Sequence, residues 1–401
     1  MNLVFLTLSN IDNISGRGIY IDLMRKFRDE GHSVYIVSPT ERKYGKKTQL
    51  IDIEGIHILK VRTLNIQKTN VVEKGVGTLL IESQYKKAVN RFLKGGYFDL
   101  ILYSTPPITF TNVVKFLKRK NPRAISYLLL KDIFPQNAVD LGMFGKNSIF
   151  YRYFRRKEVL LYKSSDYIGC MSPANVDFIR KYNPYYPSDR VEVAPNSIQL
   201  SDVQPLQKEQ KNSLRQKYGL PIDRPVFIYG GNLGKPQGID FLINCLDSNK
   251  DRQDCHFVVI GNGTEYHKLS NWYQQNKGKS VTLLEKLPKA DYDAFIKVCD
   301  VGLIFLDARF TIPNCPSRLL PYLENQMPII AATDRNTDIG RIAEENGYGF
   351  WCESINPDDF TKLVDKMLQC DINQMGEKGY HFLCKNYLVE HTYHTIVNHI
   401  Q

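Results

Sequence analysis

The sequence predicts an α/β protein made of two doubly wound parallel-sheet domains, which face each other across a cleft. Three observations support this fold class. The chain has 401 residues, of which 43% are hydrophobic and 24% charged, so it is long enough for two globular domains and unlike collagen or a coiled coil. Short apolar runs alternate with amphipathic helical patterns, and the same alternation restarts near residue 226. We expect one domain over residues 1–198, a second over residues 199–379, and a C-terminal helix over residues 380–401 that packs back on the first.

The predicted strands are short apolar runs separated by loops and helices, the spacing typical of parallel sheets. In the first domain they are Leu3–Leu8, Val34–Ser38, His57–Val61, Leu100–Ser104, Ala124–Leu130, Tyr167–Met171 and Val191–Ala194. In the second domain they are Val226–Tyr229, His256–Ile260, Val281–Leu284, Val301–Phe305 and Pro328–Ala332. Open sheets of this kind bind ligands at the carboxyl ends of their strands, so we expect a site where the two sheets meet.

The ends of the chain and its cysteines predict a cytoplasmic protein. The N-terminal residues have no cationic segment before the apolar run, and no stretch of about 18 apolar residues occurs. The eight cysteines are scattered without a CxxC pair, which favours reduced thiols. His391 and His394 share a helical face, but no third ligand is evident, so we expect no metal site.

Positive charge is concentrated in the first half of the chain. Residues 1–200 carry 31 basic and 17 acidic side chains, whereas residues 201–401 carry 22 and 25. Residues 144–163 hold six cations, six aromatic residues and one acid, a pattern that predicts binding to an anionic membrane surface at the inner face of the cell membrane. The alternative is an amphipathic helix with a solvated basic face. No motif of a nucleic-acid-binding domain accompanies the charge, so nucleic acid is not an expected partner.

Two glycine-rich segments follow predicted strands in the second domain, namely Gly230–Gly234 and Gly261–Gly263. Neither matches the Walker A or the GxGxxG dinucleotide pattern. A helix that begins after such a loop offers free backbone N–H groups to phosphates. Lys235 and Arg318 are therefore candidates for neutralising a diphosphate. The alternatives are ordinary tight turns and solvated surface cations.

Four segments, in order along the chain, resemble motifs of family 4 glycosyltransferases with the GT-B fold. Tyr229–Gly238 resembles "GNxGxxQG", and Lys131–Asn137 resembles "RDLWPES". Val193–Ser197 resembles "xxIPNG", and Cys315–Leu320 together with Met327–Ile330 resembles "xPSKLLEYLAAGKPVI". The combination is similar to the N-acetyl-L-fucosamine transferases of capsule and O-antigen assembly.

The resemblance implies a UDP-sugar donor, retention at the anomeric carbon, and neither a metal nor another cofactor. Asn232, Lys235 and Gln237 would line the donor diphosphate and sugar. The other implied donor contacts are Ser317 at the phosphates, Glu285, Lys286 and Leu287 at the base, Asn262 at the edge of the nucleotide, and Gly16 where the first domain approaches the donor. Lys235 and Arg318 would act on the leaving group, and Asp132 would orient the acceptor.

The sequence departs from the family at the ribose contact. Many members carry a glutamate pair, E-x7-E, whose positions here are Pro313 and Pro321. Glu324 lies about one helical turn beyond and is the candidate substitute for the ribose contact.

The acceptor implied by the resemblance is a lipid-diphosphate-linked saccharide. Two other functions stay open on the sequence. One is a UDP-sugar 2-epimerase of the same fold, although no set of catalytic carboxylates and histidine is evident. The other is a non-catalytic, membrane-associated partner in polysaccharide assembly, which the two prolines would permit.

Overall fold

Each half of the chain folds around one β-sheet. A computed structural model describes residues 1–66, 71–201 and 206–400. The chain divides into two compact units, one formed by Met1–Gln199 with Leu388–Gln401 and the other by Leu200–Tyr387. Because all strands of the second sheet and all but one of the first are parallel to their neighbours, the predicted α/β class with two doubly wound domains is confirmed.

The first unit contains an eight-stranded sheet. Its strands are β1 (Asn2–Leu6), β2 (Ser33–Glu41), β3 (Gln49–Ile53), β4 (Ile56–Thr63), β5 (Leu100–Ser104), β6 (Ile125–Leu130), β7 (Tyr167–Cys170) and β8 (Val191–Val193). They lie in the order β3-β4-β2-β1-β5-β6-β7-β8, and every neighbouring pair is parallel except β3 with β4. The sequence did not predict β3, because this edge strand is largely exposed and lacks an apolar run. The left-handed residues Glu54 and Gly55 connect it to β4 as a hairpin.

Helices connect these strands. They are α1 (Ile19–Asp29), α2 (Val71–Phe92), α3 (Thr111–Lys120), α4 (Gln136–Asp140), α5 (Ile149–Tyr162) and α6 (Pro173–Tyr182). α1 shows why they form: Leu23, Met24 and Phe27 recur on one face and are buried in the same core as Phe5 of β1.

The second unit contains a six-stranded, fully parallel sheet. Its strands are β9 (Val226–Asn232), β10 (His256–Asn262), β11 (Val281–Leu284), β12 (Val301–Phe305), β13 (Ile329–Thr333) and β14 (Gly349–Glu353). Their order is β11-β10-β9-β12-β13-β14. The connections reverse direction between β9 and β12, and ligands of doubly wound sheets bind at the carboxyl ends of the strands at such a reversal.

Eight helices cover this sheet. They are α7 (Lys208–Lys217), α8 (Ile239–Asn249), α9 (Tyr266–Gln275), α10 (Lys289–Ile296), α11 (Leu319–Glu324), α12 (Ile339–Glu345), α13 (Pro357–Leu368) and α14 (Ile372–Asn386). α8 and α13 pack on a core of buried strand residues such as Phe227, Phe257 and Phe305. In the described ranges, no helix combines the length and the apolar composition needed to cross a bilayer.

The chain returns to the first unit through a final helix, α15 (Val389–Val397). The segment predicted as one helix over residues 380–401 is therefore divided between α14 and α15. The break occurs at Leu388, whose backbone is extended, and the Val389 N–H donates to the carbonyl oxygen of Ile198 at 3.0 Å. Val389 and Ile396 then join the core of the first unit.

Candidate active site

The two glycine-rich segments of the second unit lie side by side at the carboxyl ends of β9 and β10. Asn232 and Asn262 are paired in register, and the Leu233 N–H donates to the Asn262 carbonyl oxygen at 3.0 Å. A Cβ atom on Gly261 would lie 1.9 Å from the carbonyl oxygen of Gly231. The two backbones therefore approach so closely that no side chain fits at Gly261.

Hydrogen bonds to the Gln237 side chain hold the loop at the end of β9 together. Asn232 Nδ2 donates to Gln237 Oε1 at 2.9 Å, and the Gly234 N–H donates to the same oxygen at 3.2 Å. The Asp307 N–H, which follows β12, donates to the carbonyl oxygen of Pro236 at 3.0 Å. The loops on the two sides of the reversal point are thus joined by their backbones.

Lys235 lies exposed on this loop, beside a cavity of about 410 Å³. Two other cations line the cavity, but both are paired: Lys268 with Asp240 at 3.0 Å, and Arg309 with Asp307 at 2.7 Å. In the part of the chain that the structure describes, Lys235 Nζ has no carboxylate partner. It is therefore a cation that a ligand could use.

Arg318 precedes α11, on the other side of the reversal point. Its Cζ lies 4.2 Å from the centroid of the Tyr229 ring, and a Cβ built on Gly231 would be 3.5 Å from the same carbon. Arg318 Nη1 is buried without a hydrogen-bond partner. Within residues 1–66, 71–201 and 206–400, no carboxylate pairs with this guanidinium. Arg318 as a whole is half-buried, but leaving its buried Nη1 unpaired is costly, and such a group is suited to an anionic ligand.

The remaining donor-side candidates divide into two groups. Ser317 is exposed next to Arg318. The other three, Glu285, Lys286 and Leu287, directly follow β11. All four therefore lie at the carboxyl edge of the sheet, as Asn262 does. Glu324 does not join them. It lies at the far end of α11, is buried, and its Oε1 accepts hydrogen bonds at 3.0 Å from both the N–H and the hydroxyl of Ser201.

In the first unit, Asp132 follows β6. Its Oδ1 accepts a hydrogen bond from Asn137 Nδ2 at 2.7 Å, and its N–H donates to Thr105 Oγ1 at 3.2 Å. Burial raises the pKa of Asp132 to about 6, although the hydrogen bonds from Asn137 and from the Ile133 N–H oppose the shift. The carboxylate is therefore held in place, and its raised pKa favours the protonated form more than in an exposed aspartate.

Gly16, also in the first unit, lies in an exposed loop after β1. A Cβ at this position would meet only Asn13 Oδ1, at 3.9 Å, so packing within the unit does not require glycine here. The same loop is held by Lys60, which is 3% exposed and donates to the Ile11 carbonyl oxygen at 3.0 Å.

Sequence reasoning missed several residues that contact the candidates. Asn137, which holds Asp132, lies within the quoted motif but was not singled out. Tyr229, Tyr292 and Tyr322 surround Arg318. Of these three, only Tyr229 could have been found from the sequence, because it directly precedes Gly230. Among the described residues, no group of three or more His, Cys, Asp or Glu side chains has the arrangement of a metal site.

Comparisons of the sequence with known families and proteins match this chain to glycosyltransferases. Residues 210–382 match the family "Glycosyl transferases group 1". The chain is 26% identical over 262 residues to "Probable glycosyltransferase WbjE" of Pseudomonas aeruginosa, which covers 65% of this chain and 64% of that protein. It is 23% identical over 160 residues to WcaI of Escherichia coli (strain K12), named as a candidate colanic acid biosynthesis glycosyl transferase, which covers 39% and 38%.

Solved structures match over nearly the whole chain. Sucrose-phosphate synthase of Thermosynechococcus elongatus has a TM-score of 0.75 at 13% identity, covering 99% of this chain and 98% of that one. HepE of Anabaena in complex with UDP-glucose has a TM-score of 0.70 at 13% identity, covering 100% and 99%.

The fold and the family match together define a protein of the GT-B class. Residues 210–382 match the group 1 glycosyl transferases, and the solved structures that match nearly the whole chain confirm the predicted GT-B fold. The match to WbjE spans less than two thirds of that protein's length.

The close approach of Gly261 to the Gly231 backbone predicts that Gly261→Ala destabilises the second unit. The added methyl would collide with the Gly231 carbonyl oxygen, and relief requires moving backbone, at a cost of about 3 kcal/mol or more. We expect a lower Tm in thermal unfolding of the full chain. Gly145→Ala is the control, because its Cβ would meet no atom within 4 Å. Equal Tm values for the two variants would contradict the close approach of these two backbone segments.

Proposed function

We propose that this protein is a retaining glycosyltransferase that moves a sugar from a UDP-sugar to a lipid-diphosphate-linked saccharide in the biosynthesis of a bacterial capsule or O-antigen. N-acetyl-L-fucosamine is the donor sugar that the motifs favour. The proposal rests mainly on Arg318 at the carboxyl edge of the second sheet, whose Nη1 is buried and has no hydrogen-bond partner. The UDP-glucose in HepE and the colanic acid assignment of WcaI support the donor and the pathway class.

The reaction breaks the bond between the anomeric carbon and the β-phosphate oxygen of UDP. Negative charge builds on that phosphate while positive charge builds on the sugar. Cations already fixed near the phosphate stabilise the transition state more than the ground state. Arg318 and Lys235 supply this charge in the proposal, so no resident metal or other cofactor is required.

Asp132 serves the acceptor in this proposal. On a retaining, front-face path, the departing phosphate oxygen takes the proton of the acceptor hydroxyl as that hydroxyl bonds to the anomeric carbon. The Asp132 carboxylate accepts a hydrogen bond from the hydroxyl and orients it. Asn137 holds the carboxylate from the other side.

The other donor contacts are proposals of the same kind. Asn232, Gln237 and Ser317 would contact the phosphates and sugar, and Asn262 with residues 285–287 would contact the nucleoside. Gly16 would give the donor room beside the first unit. Glu324 is not proposed for the ribose, because Ser201 already uses its carboxylate.

A surface on α5 supports peripheral association with the inner face of the membrane. Large apolar side chains are exposed on α5, namely Ile149 (77%), Phe150 (63%) and Tyr153 (41%), and Met143 (67%) is exposed in the turn before it. Exposed cations accompany them, whereas the one acid, Glu158, is buried and paired with Arg155. An apolar face bordered by cations fits an anionic lipid surface, where each basic residue contributes about 1 kcal/mol.

The reaction is tested by incubating the protein with UDP-sugars and a lipid-diphosphate-linked saccharide and measuring UDP release. Release that requires both substrates supports the proposal. Donor conversion without acceptor would indicate an epimerase, and no turnover with retained UDP binding would indicate a non-catalytic protein. UDP at 100 times its Kd should stabilise the fold by about 2.7 kcal/mol, which ranks UDP against GDP in a thermal-shift assay.

Removing either proposed phosphate cation should slow transfer. We expect Arg318→Ala and Lys235→Ala each to lower kcat by roughly 10²–10³-fold, because each deletes charge that stabilises the leaving phosphate. Arg309→Ala is the matched control, since Arg309 is already paired with Asp307. Near-wild-type kcat in both variants would overturn the assignment.

The acid limb of the pH–rate profile should report Asp132. Because burial raises its pKa to about 6, kcat/KM should fall as the pH drops through about 6 and the carboxylate is protonated. Asn137→Ala removes a hydrogen bond that lowers this pKa, so the limb should move to higher pH. Asp140→Asn is the control, because it changes a carboxylate on the same helix, α4, one turn beyond Asn137. A profile that Asn137→Ala leaves unchanged would contradict the role of Asp132.

Membrane association should be salt-sensitive and depend on α5. In liposome flotation, we expect the wild type to bind vesicles containing anionic lipid at low salt and to release at high salt. Ile149→Asn should weaken binding, because it removes an exposed apolar contact. Ile355→Asn is the control, since Ile355 is 65% exposed in the second unit. Absence of salt-sensitive binding would remove this part of the proposal.

A further inference from the structure

Arg318 is surrounded by tyrosines instead of carboxylates. The Tyr229 ring lies under the guanidinium, 4.2 Å from Cζ to the ring centroid, and its hydroxyl donates to the Asn232 carbonyl oxygen at 3.0 Å. A cation over an aromatic face is attracted by the ring quadrupole without being neutralised. Tyr229 therefore holds Arg318 and also fixes the loop that begins at Gly230.

Tyr322 connects α11, which directly follows Arg318, to β9. Its hydroxyl accepts a hydrogen bond from the Gly230 N–H at 3.1 Å and donates to the Ile228 carbonyl oxygen at 3.2 Å. Tyr322 lies four residues after Arg318 and is fully buried. The hydroxyl thus fixes the distance between the start of α11 and the glycine-rich loop.

Tyr292 reaches the same place from α10. A Cβ on Gly230 would lie 2.1 Å from the Tyr292 hydroxyl oxygen, so the hydroxyl contacts the glycine directly. Burial raises the pKa of both Tyr292 and Tyr322, so these phenols stay neutral. The three side chains contribute rings and hydroxyls around the guanidinium, but no negative charge.

We infer that Tyr229, Tyr292 and Tyr322 are positioning residues that hold the Arg318 guanidinium at the Gly230–Gly231 backbone with its charge available to the diphosphate of the donor. The inference rests on the proposed function. A carboxylate in the place of a tyrosine would also hold Arg318, but it would compete with the phosphates for the same N–H groups. An aromatic cage orients the cation and leaves those groups free.

The test compares UDP with uridine, since only UDP carries the phosphates that Arg318 would contact. Using calorimetric titration of the full-length protein, we expect Tyr229→Leu to raise the Kd of UDP about tenfold, from the loss of one cation–π contact, and to leave the Kd of uridine unchanged. Tyr229→Phe keeps the ring and should bind UDP nearly as the wild type does.

Two further variants distinguish a positioning role of the tyrosines from an effect on the folding of the protein. Phe227→Leu is the matched control, because Phe227 lies two residues earlier on β9, is equally buried and packs its ring on Phe257. Tyr322→Phe removes only the hydroxyl, so it should fold and should weaken UDP binding more than uridine binding.

The outcomes are distinct. A wild-type protein that binds uridine as tightly as UDP would overturn the proposed function. A wild type that prefers UDP, with Tyr229→Leu and Tyr322→Phe keeping that preference, would overturn the cage alone. Equal weakening of UDP and uridine in these variants would mean a structural role and would also overturn it. Selective loss for UDP, absent in Phe227→Leu, supports the inference.

Discussion

The second unit depends on a close approach of two backbone segments. The Gly231 carbonyl oxygen occupies the space where a side chain on Gly261 would begin, and a Cβ on Gly263 would lie 2.2 Å from the Leu233 carbonyl oxygen. Because of this contact, the segments at the ends of β9 and β10 lie side by side at the carboxyl edge of the sheet. The donor-side candidates that the structure brings together lie along that edge, either at the last residue of β9 or β10 or in the segments that follow β9, β11 and β12.

Electrostatics at this edge follow from which charges are paired. Arg309 and Lys268 are each bonded to carboxylates, so they contribute little free charge. Lys235 and Arg318 have no carboxylate partner among the described residues. The difference lies in their neighbours: Arg318 contacts tyrosines and glycine backbone, which stabilise a cation without cancelling its charge. A site of this kind favours an anion that arrives from solution.

In the first unit, one helix has two functions in the proposal. The outer face of α5 carries exposed apolar and basic side chains, whereas its inner face packs on the loop that holds Asp132. Phe154 of α5 contacts Phe134 at 4.9 Å between ring centroids, and Glu158 is one cause of the raised pKa of Asp132. The surface proposed for lipid and the carboxylate proposed for the acceptor are therefore neighbours in the same packing arrangement.

The sequence by itself determined the two α/β units, because buried parallel strands require continuous apolar runs and the connecting helices require a repeating apolar face. It also located the glycine-rich loops, since Gly230–Gly234 and Gly261–Gly263 directly follow such runs. It missed the edge strands β3, which is largely exposed, and β14, which begins at a glycine and has two half-buried residues among its five.

Only the tertiary structure decided what each candidate contacts. Glu324 was expected near the ribose, but Ser201 reaches its carboxylate from a distant part of the sequence. Tyr292 and Tyr322 meet at Gly230 although they lie 62 and 92 residues away from it along the chain. Periodicity and motifs report local structure and burial, whereas a hydrogen bond or a ring under a cation depends on strand order, which no local pattern encodes.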